Sequence, residues 1–122
     1  MKISILGTEY TITKKTYDQE PYFKENNCYG FQDSLLHEIV IGDVLTFPGW
    51  EKEPKERALI QEQYTLRHEI VHAFLDESGL QESSLRFDSA WSRNEEMVDW
   101  IAWNGPKIMK AWTEAGCIPS RI

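Results

Sequence analysis

Residues 65–75 read TLRHEIVHAFL and place His68 and His72 four positions apart, with Glu69 between them. They lie in a stretch rich in helix-forming residues that opens after Pro54 and stops at Gly79, which are boundary residues typical of a helix. Residues i and i+4 share one face of a helix. The stretch therefore predicts the longest helix of the chain, with both imidazoles on the same side.

This spacing suits a metal. His68 and His72 can both direct a ring nitrogen at one point about 2.0–2.1 Å away, the distance that zinc requires. From the next position Glu69 can hold a water molecule and take its proton during attack on a carbonyl carbon. The pattern is HExxH. The alternative is an ordinary amphipathic helix with two surface or core histidines and a solvated Glu69.

A catalytic zinc usually has three protein ligands and one open position, so the two histidines leave the set one ligand short. His37 lies upstream and no histidine follows His72, which leaves a carboxylate. The stretch RNEEMVDW supplies Glu95, which could bind the metal. Asp99, four residues later on a second predicted helix, could accept a ring N–H from one of the zinc-bound histidines.

Other interpretations of these carboxylates stay open. Ser92 and Glu95 also form an S-x-x-E capping box, which can simply start a helix. Glu96 is a second candidate for the third ligand. Asp88 is another oxygen donor, although its irregular surroundings favour a solvated loop carboxylate.

HExxH followed by Asn94, Glu95 and Asp99 resembles the gluzincin metallopeptidases. The short length and the HEIVHAFL helix also look like small phage-associated and ImmA/IrrE-like metallopeptidase domains, over about residues 29–110. The resemblance implies zinc-dependent hydrolysis of peptide bonds in a peptide or protein substrate. It gives Glu95 the role of third ligand beside His68 and His72, Glu69 that of general base, and Asp99 that of orienting a histidine.

The rest of the chain predicts a single α+β domain over residues 1–122. KISIL and EYTIT read as strands with a turn at Gly7, and further strand candidates lie near 28–32 and 36–41. A second helix is predicted within residues 92–116, with a kink at Pro106. We expect a short antiparallel or mixed sheet packed on the HExxH helix and this C-terminal helix, an arrangement that the resemblance identifies as zincin-like.

Several side chains have open roles at this point. A peptidase needs a donor for the oxyanion, and the candidates are Tyr29, His37, Tyr64 and Arg86, although a purely structural role is favoured for each. The resemblance suggests residues 35–43, LLHEIVIGD, as the strand that pairs with an extended substrate. Aromatic residues near helical spacing are more often core, which we expect of at least two of Trp91, Trp100, Trp103 and Trp112.

The net charge of −7 leaves no basic patch for nucleic acid or an anionic membrane. No signal peptide or long apolar run is present, so a cytoplasmic location is expected. Cys28 and Cys117 are expected to be free thiols. Two other functions remain: a zinc-binding adaptor or inhibitor of phage or prophage origin with little or no activity, and a metal-free protein-interaction module.

Overall fold

The architecture was obtained as a computed structural model that describes residues 1–80 and 90–121. Four strands and three α-helices confirm the α+β expectation, and the short first helix was not predicted. In chain order they are β1 (Lys2–Ile5), β2 (Thr8–Lys15), α1 (Pro21–Asn26), β3 (Gly30–Asp33), β4 (Glu38–Gly42), α2 (Lys55–Glu77) and α3 (Glu95–Glu114).

The strands form one mixed sheet in the order β1-β2-β4-β3. β1 and β2 make an antiparallel hairpin, β2 and β4 are parallel, and β3 is antiparallel to β4. β4 is therefore paired on both sides. The expectation that residues 35–43 hold a substrate strand is wrong, because no edge of β4 is free; β3 is the edge strand next to α2 instead.

The two faces of the sheet are covered differently because side chains alternate along each strand. On one face, an apolar cluster that includes Tyr10 and Ile39 packs against Ala73 of α2. On the other face, Val40 packs with Phe23 and Phe47. Phe23 belongs to α1, so the helix that was not predicted covers this second face of the sheet.

The buried face of α2 is unusually polar. Glu62, Thr65, Glu69 and His72 are all buried, while the apolar Leu59 is 53% exposed. Glu62 has structural partners: its carboxylate pairs with Lys14 Nζ at 2.7 Å and accepts the Val44 N–H at 2.9 Å. Polar groups placed beneath a helix need such partners, so those without them are candidates for function.

α3 runs as one helix from Glu95 to Glu114 with Pro106 inside it. Its buried positions are the small residues Val98 and Ala102. The prediction that at least two of the four tryptophans are core is wrong, because Trp91, Trp100, Trp103 and Trp112 are 52–60% exposed. In the part of the chain that the structure describes, no helix has the length and apolarity needed to cross a bilayer, and Cys28 and Cys117 are free.

Candidate metal site

α2 and α3 pack against each other along the candidate site. Tyr64 contacts Asp99, His68 contacts Glu95, and His72 contacts the main-chain carbonyl of Ser92, just before α3. A further tie joins Arg67 Nε to the carbonyl of residue 102 at 2.7 Å. This pairing brings the HExxH residues and the carboxylates of the second helix to one place.

The start of α3 is fixed by Asn94. Its side-chain oxygen accepts the Met97 N–H at 3.0 Å, so Asn94 is the N-cap and Glu95 is the first helical residue. The capping-box interpretation of Ser92 and Glu95 is therefore wrong. Ser92 lies in a short 3-10 turn, and its hydroxyl has no hydrogen-bond partner among the described residues. The Glu95 side chain is left free to turn towards α2.

Glu95 bridges the two histidines. Its Oε2 lies 3.0 Å from His68 Nε2, and its Oε1 lies 3.0 Å from His72 Nε2. The two Nε2 atoms are themselves 3.1 Å apart. Two imidazole nitrogens and a carboxylate thus converge on one point. The histidine side chains are only 17% and 11% exposed, whereas that of Glu95 is 63% exposed, so the cluster opens to solvent on the α3 side.

The other ring nitrogens decide the tautomers. His68 Nδ1 lies 2.8 Å from Asp99 Oδ1, and His72 Nδ1 is hydrogen-bonded to the main-chain carbonyl of Ser92. A carbonyl or a carboxylate only accepts, so each Nδ1 carries the proton. In the neutral rings both Nε2 atoms are then unprotonated, and their lone pairs face each other beside the Glu95 carboxylate. Such a group of acceptors is stabilised by a cation.

The donor set fits zinc. Ligands at about 2.0–2.1 Å in a tetrahedral site stand about 3.3 Å from one another, close to the 3.0–3.1 Å separations of this cluster. Neutral imidazole and carboxylate are ordinary zinc ligands, and a hydrogen bond from the other ring nitrogen to a carboxylate or carbonyl usually accompanies them. His68, His72 and Glu95 could hold the ion, with Asp99 and the Ser92 carbonyl orienting the rings.

Glu69 lies beneath this cluster, and no described residue pairs with it as Lys14 and Val44 pair with Glu62. Its side chain is 6% exposed, and its Oε2 is buried without a hydrogen bond in the described chain. Burial, with a smaller effect from the negative charge of Glu95, raises the pKa of Glu69 to about 8. One of its oxygens lies within 4.8 Å of nitrogens of both histidines. A buried carboxylate with a raised pKa, beside a cluster of possible metal ligands, is typical of a functional site.

The cluster forms one wall of an open cleft of about 810 Å³ between α2, β3 and the start of α3. The cleft includes residues that the sequence did not single out, because folding alone brings them together. They are Tyr22 and Asn26 of α1, residues 30–33 of β3, Asp76 of α2, and Arg93 before α3. Arg93 is the one Lys or Arg side chain among the described lining residues.

The other candidates lie elsewhere. His37 packs on Tyr10 near Glu77, and the Tyr29 hydroxyl accepts from Trp50 Nε1. Tyr64 donates to Asp99 at 2.7 Å, and burial together with this bond raises its pKa to about 12. None of these three lines the large cleft, although Tyr29 and Tyr64 line a cavity of about 150 Å³ behind His68 and Glu69.

The remaining carboxylates are separated from the cluster in different ways. Glu96 is exposed and belongs to neither of the two groups of possible ligands found in the described chain, which are His68, Glu69 and His72 in one, and His68, Glu95 and Asp99 in the other. Asp88 and the last oxyanion candidate, Arg86, lie outside the described residues.

Comparison with known proteins gives no relative: no family model, curated protein or solved structure matches the chain significantly.

Proposed function

We propose that this protein is a zinc-dependent peptidase with a zincin-like arrangement, in which His68, His72 and Glu95 bind the metal. The observation that carries the proposal is the convergence of the two histidine Nε2 atoms and the Glu95 carboxylate at 3.0–3.1 Å, with an acceptor beside each Nδ1 atom. Hydrogen bonds to Asp99 and Ser92 fix this orientation before any ligand arrives. Preorganised rings of this kind are typical of metal sites.

Glu69 supplies the proton transfers. Zinc, when bound, polarises a substrate carbonyl and lowers the pKa of water, and it also favours the ionised form of a nearby carboxylate. The partnerless Oε2 of Glu69 then takes the proton of the attacking water and delivers it to the leaving amine. Burial keeps competing solvent away from this carboxylate.

The substrate is an extended peptide that lies along the edge of β3 that has no strand partner among the described residues. The cleft is lined by residues from both faces of this strand, Gly30 and Gln32 on the α2 side and Phe31 and Asp33 on the other, so the strand edge itself faces the cleft. A peptide paired with this edge gains backbone hydrogen bonds and passes beside the histidines. Such pairing gives affinity with little choice of sequence.

Metal content and hydrolysis together test the proposal. Elemental analysis of protein purified without chelator or metal resin should give about one zinc per chain, and zinc should be lost in His68→Ala and Glu95→Ala. Glu69→Gln should keep zinc and lose about 10²-fold or more of the hydrolysis of a peptide mixture, read by mass spectrometry. Zinc without hydrolysis in the wild type would favour the adaptor or inhibitor. No zinc, even after addition, would favour the interaction module.

A further inference from the structure

The Tyr64 hydroxyl has a specific partner at the edge of the candidate site. It donates to Asp99 Oδ1 at 2.7 Å, and the same oxygen accepts the His68 Nδ1–H at 2.8 Å. One carboxylate oxygen therefore receives a proton donor from each of two α2 residues that stand one helical turn apart. The arrangement forms a chain from Tyr64 through Asp99 to His68.

The chain is built to hold Asp99 in one orientation. The Asp99 side chain is 48% exposed, and an exposed aspartate has other orientations available to it in water. Tyr64 is more enclosed, and its ring packs on that of Trp103 with centroids 4.6 Å apart. Residues 64 and 68 share a face of α2, and residues 99 and 103 share a face of α3. Tyr64 can therefore contact both Asp99 and Trp103, while His68 contacts Asp99.

We propose that Tyr64 is a positioning residue for the metal site. Its hydroxyl holds the Asp99 carboxylate where it accepts the His68 Nδ1–H, and this bond fixes the ring with His68 Nε2 aimed at Glu95. The inference rests on the proposed metal site but not on hydrolysis, because it concerns zinc affinity alone. Partners that orient a ligand from behind commonly contribute 10–100-fold to metal affinity.

Tyr64→Phe removes only the hydroxyl and keeps the ring that packs on Trp103. We expect zinc affinity, measured by competition with a chelating dye, to fall about tenfold. Tyr10→Phe is the matched control, because the Tyr10 hydroxyl also donates to a carboxylate, Glu77 at 2.8 Å, away from the metal site. Its zinc affinity should equal that of the wild type. Tyr64→Leu replaces Tyr64→Phe if circular dichroism shows that the latter does not fold.

A double-mutant cycle separates positioning from general packing. If Tyr64 acts through Asp99, Tyr64→Phe should have no further effect on zinc affinity in an Asp99→Ala background. An equal loss in both backgrounds would overturn the proposal, because the hydroxyl would then act by another route. Unchanged affinity in Tyr64→Phe alone would also overturn it.

The outcomes for the two proposals are distinguishable. A wild-type protein that binds no zinc refutes the metal site and with it the role of Tyr64. If the wild type binds zinc, His68→Ala and Glu95→Ala lose it, and Tyr64→Phe binds it as tightly as the wild type, the metal site stands and only this inference is refuted. A protein that binds zinc without hydrolysing peptides leaves the Tyr64 test fully valid.

Discussion

His68 and His72 present their Nε2 atoms to each other at 3.1 Å, while the Nδ1 atoms donate to two different acceptors. The acceptors come from separate places, the Asp99 side chain within α3 and the main chain just before it. Each ring is therefore oriented independently, and the two lone pairs meet at the level of Glu95.

Glu95 and Glu96 should differ sharply in their effect on zinc-dependent stability. A ligand at about 100 times its Kd stabilises a protein by about 2.7 kcal/mol, which raises the Tm by several degrees for a domain of this size. We expect added zinc to raise the Tm of the wild type and of Glu96→Ala, but not of Glu95→Ala. Thermal scans with zinc and with chelator measure this. A Tm rise in the wild type and in Glu95→Ala, but not in Glu96→Ala, would make Glu96 the ligand.

Stability of the metal-free protein should fall as pH rises through the range set by Glu69. Burial raises the pKa of Glu69 to about 8 from the ordinary 4.5, so the folded state favours its protonated form. The unfolded chain releases this proton first, so the stabilisation is complete below about pH 4.5 and is lost as the pH approaches 8.

Glu69→Gln carries no titrating group and is the natural comparison. Urea unfolding in the presence of chelator should show that the free energy of unfolding falls between about pH 5 and pH 8. The fall should be larger in the wild type than in Glu69→Gln by at least about 1 kcal/mol. Parallel pH profiles of the two proteins would contradict the assignment of this dependence to Glu69.

Gly30 should be required for the close approach of β3 to α2. A Cβ at position 30 would stand 2.7 Å from Thr65 Cγ2 and 3.0 Å from the Val40 carbonyl oxygen. We expect Gly30→Ala to lower the free energy of unfolding by about 1–3 kcal/mol, as overpacking does. Gly105→Ala, in open space within α3, should be neutral or stabilising by up to about 1 kcal/mol. Equal effects in urea unfolding would contradict this packing argument.

The ion pair of Lys14 and Glu62 should contribute more to stability than an exposed pair does. Lys14→Met leaves the buried Glu62 carboxylate with only the Val44 N–H, and we expect a loss of about 1–3 kcal/mol. In the control Lys2→Met, the lost pair with Glu9 is exposed on both sides, so the change should stay within about 0.5 kcal/mol. Chemical unfolding of both variants decides whether burial makes the difference.

The sequence by itself determined what depends on local spacing. Period-2 and helix-forming patterns located β1, β2, α2 and α3, and the i, i+4 rule put His68 and His72 on one face. Local patterns did not reveal α1, which is six residues long and serves to cover the sheet with Phe23. They also misjudged the tryptophans, because burial along α3 depends on which face meets α2.

Only the tertiary structure decided how distant groups meet. The packing of α2 against α3 places Glu95 between the histidines and Tyr64 on Asp99, and no spacing within either helix fixes that contact. Strand order is likewise a long-range property, and within the described chain it puts β3 rather than β4 at the edge of the sheet. His72 is oriented by the main-chain carbonyl of Ser92, a group that every residue has. No pattern of side chains in the sequence could therefore predict this contact. The sequence specifies which residues could bind a metal, whereas the packing of two helices that are far apart in the chain specifies where their ligand atoms meet.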